Sequence, residues 1–240
     1  MLRNPVFRGD GVADGRGQPV LLVPGFLAGD ESLALMTRWL RRTGHHTSRA
    51  GMRLNVGCSG GAVDRLESRL EALVKRQGKK AAVIGQSRGG SLAKVLAARR
   101  PDLVAGIVTL GSPTCDALNV NLFTRNAVRA VATLGTLGAP GLFTRSCLHG
   151  DCCEEFWALH GGSLPRGVGF VSIYSRSDGI VDWRACLDPA AKHVEIRSSH
   201  IGMAVHPDGY RAIADALEAF RRPDRKGLGK GKKRHLRLAA

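Results

Sequence analysis

The sequence predicts an α/β protein: a mostly parallel, doubly wound sheet of about six strands with a helical cap inserted into it. Three observations carry that expectation. Short apolar runs alternate with segments of helical periodicity through most of the chain, the pattern of a parallel sheet covered on both faces. One such run, Ala81 to Ile84, leads straight into Gly85-Gln86-Ser87-Arg88-Gly89 and then into a helical pattern with Leu92, Val95 and Leu96 apolar before Pro101. The alternation then lapses for about fifty residues between Pro113 and Gly167, too many for an ordinary connection.

In chain order, a polar, Gly-rich lead (1–18) precedes Pro19-Val-Leu-Leu-Val23, the first core strand, which ends in the loop Pro24-Gly25-Phe26-Leu27-Ala28-Gly29-Asp30. A helix over about 31–42 turns Leu33, Met36 and Leu40 inward, and a weak strand follows around 46–50. Val63, Leu66, Leu70, Leu73 and Val74 mark an amphipathic helix ending near Gly78. The strand–turn–helix around Ser87 comes next, then the strand Val104–Leu110 and the turn Gly111-Ser112-Pro113. Within 113–167, Val120, Leu122, Phe123, Val128, Val131 and Leu134 recur at helix-like spacings, as expected of a cap over the sheet's edge. The core resumes at 168–174 and 193–197, and Tyr210, Ile213, Ala214, Leu217 and Phe220 mark a closing helix that starts near Pro207.

A chain of 240 residues, 43% hydrophobic, suffices for one such domain over 19–222 with its insertion. No apolar stretch is long enough to span a bilayer, and no Sec-type signal is readable at the N-terminus. The expected location is therefore cytoplasmic, with a peripheral membrane contact left open. Half of the net charge of +16 lies in residues 221–240. Gly-punctuated and self-repelling, the segment 223–240 is expected to be a disordered tail. It is either an electrostatic tether to an anionic membrane surface or nucleic acid, or a solvated, solubilising end.

The chemistry centres on Ser87. A serine between two glycines, on a sharp turn from a buried strand into a helix, is lifted above the sheet edge as a nucleophile elbow. A second string, Gly57-Cys58-Ser59-Gly60-Gly61, matches the same pattern, but no apolar strand leads into it, so Ser59 is expected in a loop. Ligands gather at the carboxyl ends of parallel strands. The loop after the first strand therefore comes beside the elbow, where the N–H groups of Phe26 and Arg88 are the expected oxyanion hole. Asp178 and His200 each follow a strand, which brings Ser, Asp and His to one rim in that order. There His200 would take the hydroxyl proton of Ser87, and Asp178 would fix the imidazole tautomer. Asp182 is the alternative acid; His193, His206, His45 and His46 are weaker bases. The guanidinium of Arg88 would either favour a negatively charged substrate or pair with a neighbouring acid.

Six cysteines are present: Cys58, Cys115, Cys147, Cys152, Cys153 and Cys186. Free thiols, disulfides in any of 15 pairings and a metal site all remain open. Adjacent Cys152 and Cys153 seldom share one tetrahedral zinc, and no second ligand pair with finger-like spacing follows, so no metal ligand is assigned.

Across about 19–220 the chain resembles the α/β-hydrolase superfamily, and within it bacterial lipase/esterase-like members related to the GPI inositol-deacylase-like group. The resemblance rests on Val-Pro-Gly-Phe at 23–26, Gly-Gln-Ser-Arg-Gly at 85–89, Thr-Leu-Gly-Ser-Pro at 109–113, Tyr-Ser-Arg-Ser-Asp-Gly-Ile-Val at 174–181 and Ser-His at 199–200. It implies hydrolysis of a small-molecule or lipid ester without a cofactor. Three positions depart from the family's habit: Pro24-Gly25 stands where many members have His-Gly, Arg88 where the residue is often smaller, and Asp182 where proline is common. Thioesterase or acyltransferase chemistry would use the same three residues. A non-catalytic scaffold with a binding tail is the reading from another class, and an intact triad argues against it.

Overall fold

The computed structural model describes residues 4–150 and 152–221. The basic tail expected at 223–240 lies outside them.

Strands β1 (Pro19–Val23), β2 (His46–Arg49), β3 (Ala81–Gln86), β4 (Val104–Leu110), β5 (Gly169–Tyr174) and β6 (Lys192–Glu195) form one sheet in the order β2-β1-β3-β4-β5-β6. Every neighbouring pair is parallel. The helices are α1 (Ala34–Arg42), α2 (Ser59–Gln77), α3 (Arg88–Arg99), α4 (Leu122–Thr136), α5 (Arg145–His149), α6 (Glu154–Gly161) and α7 (Pro207–Arg221).

Alternation along the strands divides the core into two layers. Leu21, Val23, Ala81 and Val83 face the layer that holds Leu66 and Leu70 of α2 and Leu92 and Leu96 of α3. Val20, Leu22, Ala82 and Ile84 face the opposite layer, with Met36 and Leu40 of α1 and Tyr210 and Ile213 of α7. β1 and β3 are buried along their whole length because both faces are covered, so they read as continuous apolar runs. Strand order reverses between β1 and β3, and the crevice at that switch point is where the Ser87 turn emerges.

The expected elements are present, with local differences. The first helix opens as a 3-10 turn over Asp30–Leu33 before α1 begins. Ser59 is not in a loop: it is the first residue of α2, and it is buried. With Cys58 at the N-cap, Ser59-Gly60-Gly61 forms the helix's first turn despite its poor helix propensity. The lead is less peripheral than its composition implies. A 3-10 turn over Pro5–Arg8 buries Val6 and Phe7; the Trp39 indole N–H donates to Val6 O at 2.7 Å, and Phe7 meets the ring of Tyr210 edge-on.

Beneath the sheet's carboxyl edge lies a buried ion pair that periodicity does not reveal. Lys94 Nζ of α3 is 2.6 Å from Asp188 Oδ2, both side chains are almost fully buried, and Nζ also donates to Thr114 O at 3.1 Å. Removing one partner strands the other charge in a poorly solvated site. Asp188→Asn is accordingly expected to lower unfolding stability by about 3–5 kcal/mol, whereas joint replacement by Met and Leu should recover most of that loss. Urea denaturation midpoints of the three variants test this, and equal losses from the single and double changes would contradict it.

Candidate active site

Ser87 sits between β3 and α3 with φ 52° and ψ −124°, a region that non-glycine residues rarely enter. Holding a side chain there costs on the order of 1–3 kcal/mol. The surroundings hold it in place: Ser87 N–H donates to Leu110 O at 2.8 Å, and Gly90 N–H donates to Ser87 O at 2.9 Å. The two flanking glycines are required by close approach. A Cβ on Gly85 would strike the backbone of Gly89, and one on Gly89 would strike the carbonyls of Val23 and Pro24. Only with both positions bare can the helix start directly against β1 and β3.

His200 follows β6 and caps a 3-10 turn over Ile201–Val205; its ring is buried. Nδ1 lies 2.6 Å from Asp178 Oδ2. A carboxylate can only accept, so Nδ1 carries the proton and Nε2 is left with a free lone pair. Asp178 is fixed in turn, its Oδ1 accepting from the N–H groups of Ile180 at 2.8 Å and Val181 at 3.0 Å. The pair stands over the end of β4, where a Cβ on Gly111 would come within 2.9 Å of Asp178 Oδ2 and 3.1 Å of His200 Nδ1. Gln86, the neighbour of Ser87, reaches across to donate to His200 O at 3.4 Å. Among the described residues no hydrogen bond joins Ser87 Oγ to His200 Nε2.

The competing residues are engaged elsewhere. Asp182 caps the 3-10 turn over Trp183–Cys186, accepting from Arg184 N–H at 2.9 Å. His193 Nε2 is 2.8 Å from Asp188 O, and His45 Nδ1 is 3.2 Å from Leu40 O, where burial pushes the imidazole below its usual range. His206 lies beside Asp208, and His46 lies on the edge strand β2.

The loop after β1 reaches the elbow as expected. A Cβ on Gly25 would stand 3.3 Å from Ser87 Cβ, and the loop tightens into a turn closed by Ala28 N–H on Gly25 O, with Leu27 at φ 57°. As the first residue of α3, Arg88 has an N–H without an intrahelical acceptor. Among the described residues the N–H of Phe26 also has no acceptor.

The Arg88 side chain settles one of the two alternatives raised by the sequence: it does not pair with an acid. Nη1 donates to Asn55 O at 2.9 Å and Asn55 Oδ1 at 3.0 Å, and Nη2 to Gly57 O at 2.6 Å and Ser59 Oγ at 3.0 Å. The guanidinium also stacks on Phe143, 5.2 Å from the ring centre. Burial lowers it to about 10, while the nearby thiols of Cys58, Cys147 and Cys153 act in the opposite direction. Sequence reasoning missed Asn55, which donates from Nδ2 to Pro24 O at 2.8 Å and so ties the loop after β1 to Arg88. An asparagine in an irregular stretch reads as a turn residue, so no local signal was available.

Ser87 and Arg88 form the floor of a mainly apolar cavity whose walls include Phe26, Val128, Phe143, Phe156 and Trp157. All but Phe26 come from the inserted segment. On α4, whose Thr124 and Val128 line the cavity, Leu122 and Phe123 are 68% and 83% exposed. Among the described residues no helix is long and apolar enough to cross a membrane.

No family model matches the sequence, and no curated protein does. Solved structures do match. The mature Bacillus licheniformis lipase BlEst2 superposes with a TM-score of 0.62 at 14% identity, over 88% of this chain and 96% of the other. The metagenomic carboxyl esterase MGS0156 gives 0.65 at 14% identity, over 87% and 77%. A Paleococcus ferrophilus monoacylglycerol lipase gives 0.56 at 14%, over 87% and 96%. At such identities the likeness is one of architecture. With its six parallel strands, its helices on both faces and these neighbours, the chain has the α/β-hydrolase fold.

Proposed function

We propose that this protein is a serine hydrolase of carboxylic esters, with Ser87 as nucleophile, His200 as general base and acid, and Asp178 as the residue that orients the imidazole. The observation that carries the reading is the buried His200–Asp178 hydrogen bond of 2.6 Å, formed at the same rim as a serine held in a strained conformation. The strain at Ser87 costs stability instead of adding to it, and the pairing of Nδ1 with Asp178 leaves His200 Nε2 as a base with no structural duty.

His200 Nε2 removes the proton from Ser87 Oγ as the oxygen attacks the ester carbonyl. The carbonyl oxygen gains the negative charge and is held by the N–H groups of Phe26 and Arg88. Collapse of the tetrahedral intermediate expels the alcohol, which takes its proton from His200 and leaves an acyl group on Ser87. Water then attacks that acyl group with His200 again as base, releasing the carboxylic acid and restoring the serine. Closure of the Ser87–His200 hydrogen bond belongs to the substrate complex, where such contacts commonly tighten.

The segment 113–167 serves in this reading as a cap whose aromatic and aliphatic walls take the acyl group, which favours apolar, lipid-like esters over charged ones. The exposed Leu122 and Phe123 beside that cavity are consistent with a substrate presented at a lipid surface. The narrower kinship with GPI inositol-deacylase-like lipases is part of the same reading and rests on the sequence motifs alone.

A fluorophosphonate probe tests the nucleophile. Wild-type protein should be labelled on Ser87, Ser87→Ala should not be labelled at all, and Ser59→Ala should retain labelling despite its matching motif. Labelling that survives Ser87→Ala would end the proposal.

A further inference from the structure

Four of the six cysteines converge on one point of the fold. The Sγ atoms of Cys58, Cys147, Cys152 and Cys153 all lie within 4.8 Å of one another. Sequence spacing conceals this, because the four come from three separate places in the chain. Cys58 is the N-cap of α2, Cys147 lies in α5, and Cys153 is the N-cap of α6 with Cys152 immediately before it.

The spacing of the sulfurs points to a shared ligand. Cys58 and Cys153 are 3.3 Å apart, Cys152 and Cys153 3.7 Å, and Cys147 and Cys152 3.1 Å. All three contacts exceed a disulfide bond of about 2.05 Å. A tetrahedral ion with metal–sulfur bonds of about 2.3 Å holds its sulfurs about 3.8 Å apart, a spacing between these short contacts and the 4.8 Å within which all four atoms lie. An iron–sulfur cluster distributes its thiolates around several irons and needs a wider cage.

A second observation concerns charge. The Arg88 guanidinium is fixed against Gly57 and Ser59, the two residues that flank Cys58, and every hydrogen bond it makes goes to an uncharged oxygen. Among the described residues no carboxylate lies within ion-pair distance of it. A partly buried cation of this kind calls for an anion. Four thiolates around a divalent ion carry a net charge of −2 and supply one, whereas four thiols or two cystines are neutral and do not. Thr144 N–H donates to Cys147 Sγ at 3.4 Å, the hydrogen bond expected of a metal-bound sulfur.

We propose that Cys58, Cys147, Cys152 and Cys153 bind one zinc ion as a structural tetrathiolate site. Binding releases the four thiol protons and leaves no coordination position open for water or substrate, so the ion takes no chemical step. Its role is mechanical. It ties α5 and α6 of the inserted segment to the start of α2, and it anchors Arg88, whose backbone N–H lies beside Ser87. Cys152 is exposed and gives the ion a way in; Cys147 and Cys153 are buried. Cys115 and Cys186 take no part.

The test does not depend on hydrolysis. Full-length protein purified under reducing conditions and dialysed against metal-free buffer should retain about one zinc per chain by plasma mass spectrometry. Cys58→Ser and Cys147→Ser should each lose it, while Cys115→Ser should keep it. Since the ligand variants are open to misfolding, the wild-type chain supplies a second readout. Reduced, chelator-stripped protein titrated with Co²⁺ should develop thiolate-to-cobalt charge-transfer bands in the near ultraviolet and the visible bands of a tetrahedral site, saturating at one equivalent and bleached by Zn²⁺. Reduced, folded wild-type protein that binds cobalt without those bands, or not at all, overturns the proposal. So does purified protein without metal whose intact mass, taken without reductant, reports two disulfides among these four residues, or protein that carries iron and sulfide.

Discussion

His200→Ala is expected to lower kcat/KM for a p-nitrophenyl ester by about 10⁴-fold, and adding Ser87→Ala is expected to cost almost nothing more. Residues that act on a single proton transfer fail together. Without the imidazole, Ser87 Oγ keeps its proton and is a poor nucleophile, so removing the hydroxyl afterwards takes away little that still functions. A loss of that size corresponds to about 5.5 kcal/mol of transition-state stabilisation. What remains would come from the donors aimed at the oxyanion and from binding in the apolar cavity. Stability should change little with Ser87→Ala, because the hydroxyl is not part of the core and the loss of side-chain atoms is small. Relief of strain at φ 52° is not available to alanine, which shares the same backbone limits. Kinetics of the two single variants and the double variant decide the matter. Additive losses would mean that the two side chains act in separate steps, and losses below about tenfold would remove His200 from the proton transfer.

Much of this arrangement was legible in the sequence because it is local. A buried strand, a serine between two glycines and a helix start are contiguous, and Gly85 has a steric reason within that stretch, whereas the reason for Gly89 lies in β1. The parallel sheet was legible for a similar reason, since strands covered on both faces need unbroken apolar runs such as Pro19–Val23 and Ala81–Ile84. Asp178 and His200 could be named as a candidate pair because strand ends in such a sheet share one rim, and the two side chains do meet there. The parts that escaped depend on contacts between distant residues of types that usually mean nothing alone. Asn55 bridges the loop after β1 to Arg88, and Ser59 opens a helix through an N-cap that no propensity scale favours. The Lys94–Asp188 pair joins positions 94 residues apart, where a lysine on α3 would ordinarily be expected in solvent. For the cysteines, the spacing of Cys147, Cys152 and Cys153 raised a metal site, but the fourth sulfur lies on the far side of two strands in sequence and was out of reach of any motif.

The acid is where sequence left two candidates within four residues, and Asp178→Asn against Asp182→Asn is the comparison that separates them. Asp178 Oδ2 accepts from His200 Nδ1, while Oδ1 takes two backbone N–H groups, so the carboxylate is held in place and aimed at the ring. Asparagine preserves the shape and can still accept the Ile180 and Val181 N–H groups through its carbonyl oxygen. The atom that then faces Nδ1 is an amide nitrogen, which donates and does not accept. The imidazole must answer by moving its proton to Nε2, the tautomer that cannot take a proton from Ser87. Hydrolysis should fall by about 10⁴-fold with the fold intact and fluorophosphonate labelling slowed in parallel. Asp182→Asn should stay within about twofold, because its carboxylate only caps a 3-10 turn, and asparagine caps such a turn nearly as well. The reverse ranking would transfer the orienting role to Asp182 and require the loop over 178–183 to rearrange when substrate binds. Equal, small effects would leave the buried contact of 2.6 Å without a catalytic purpose.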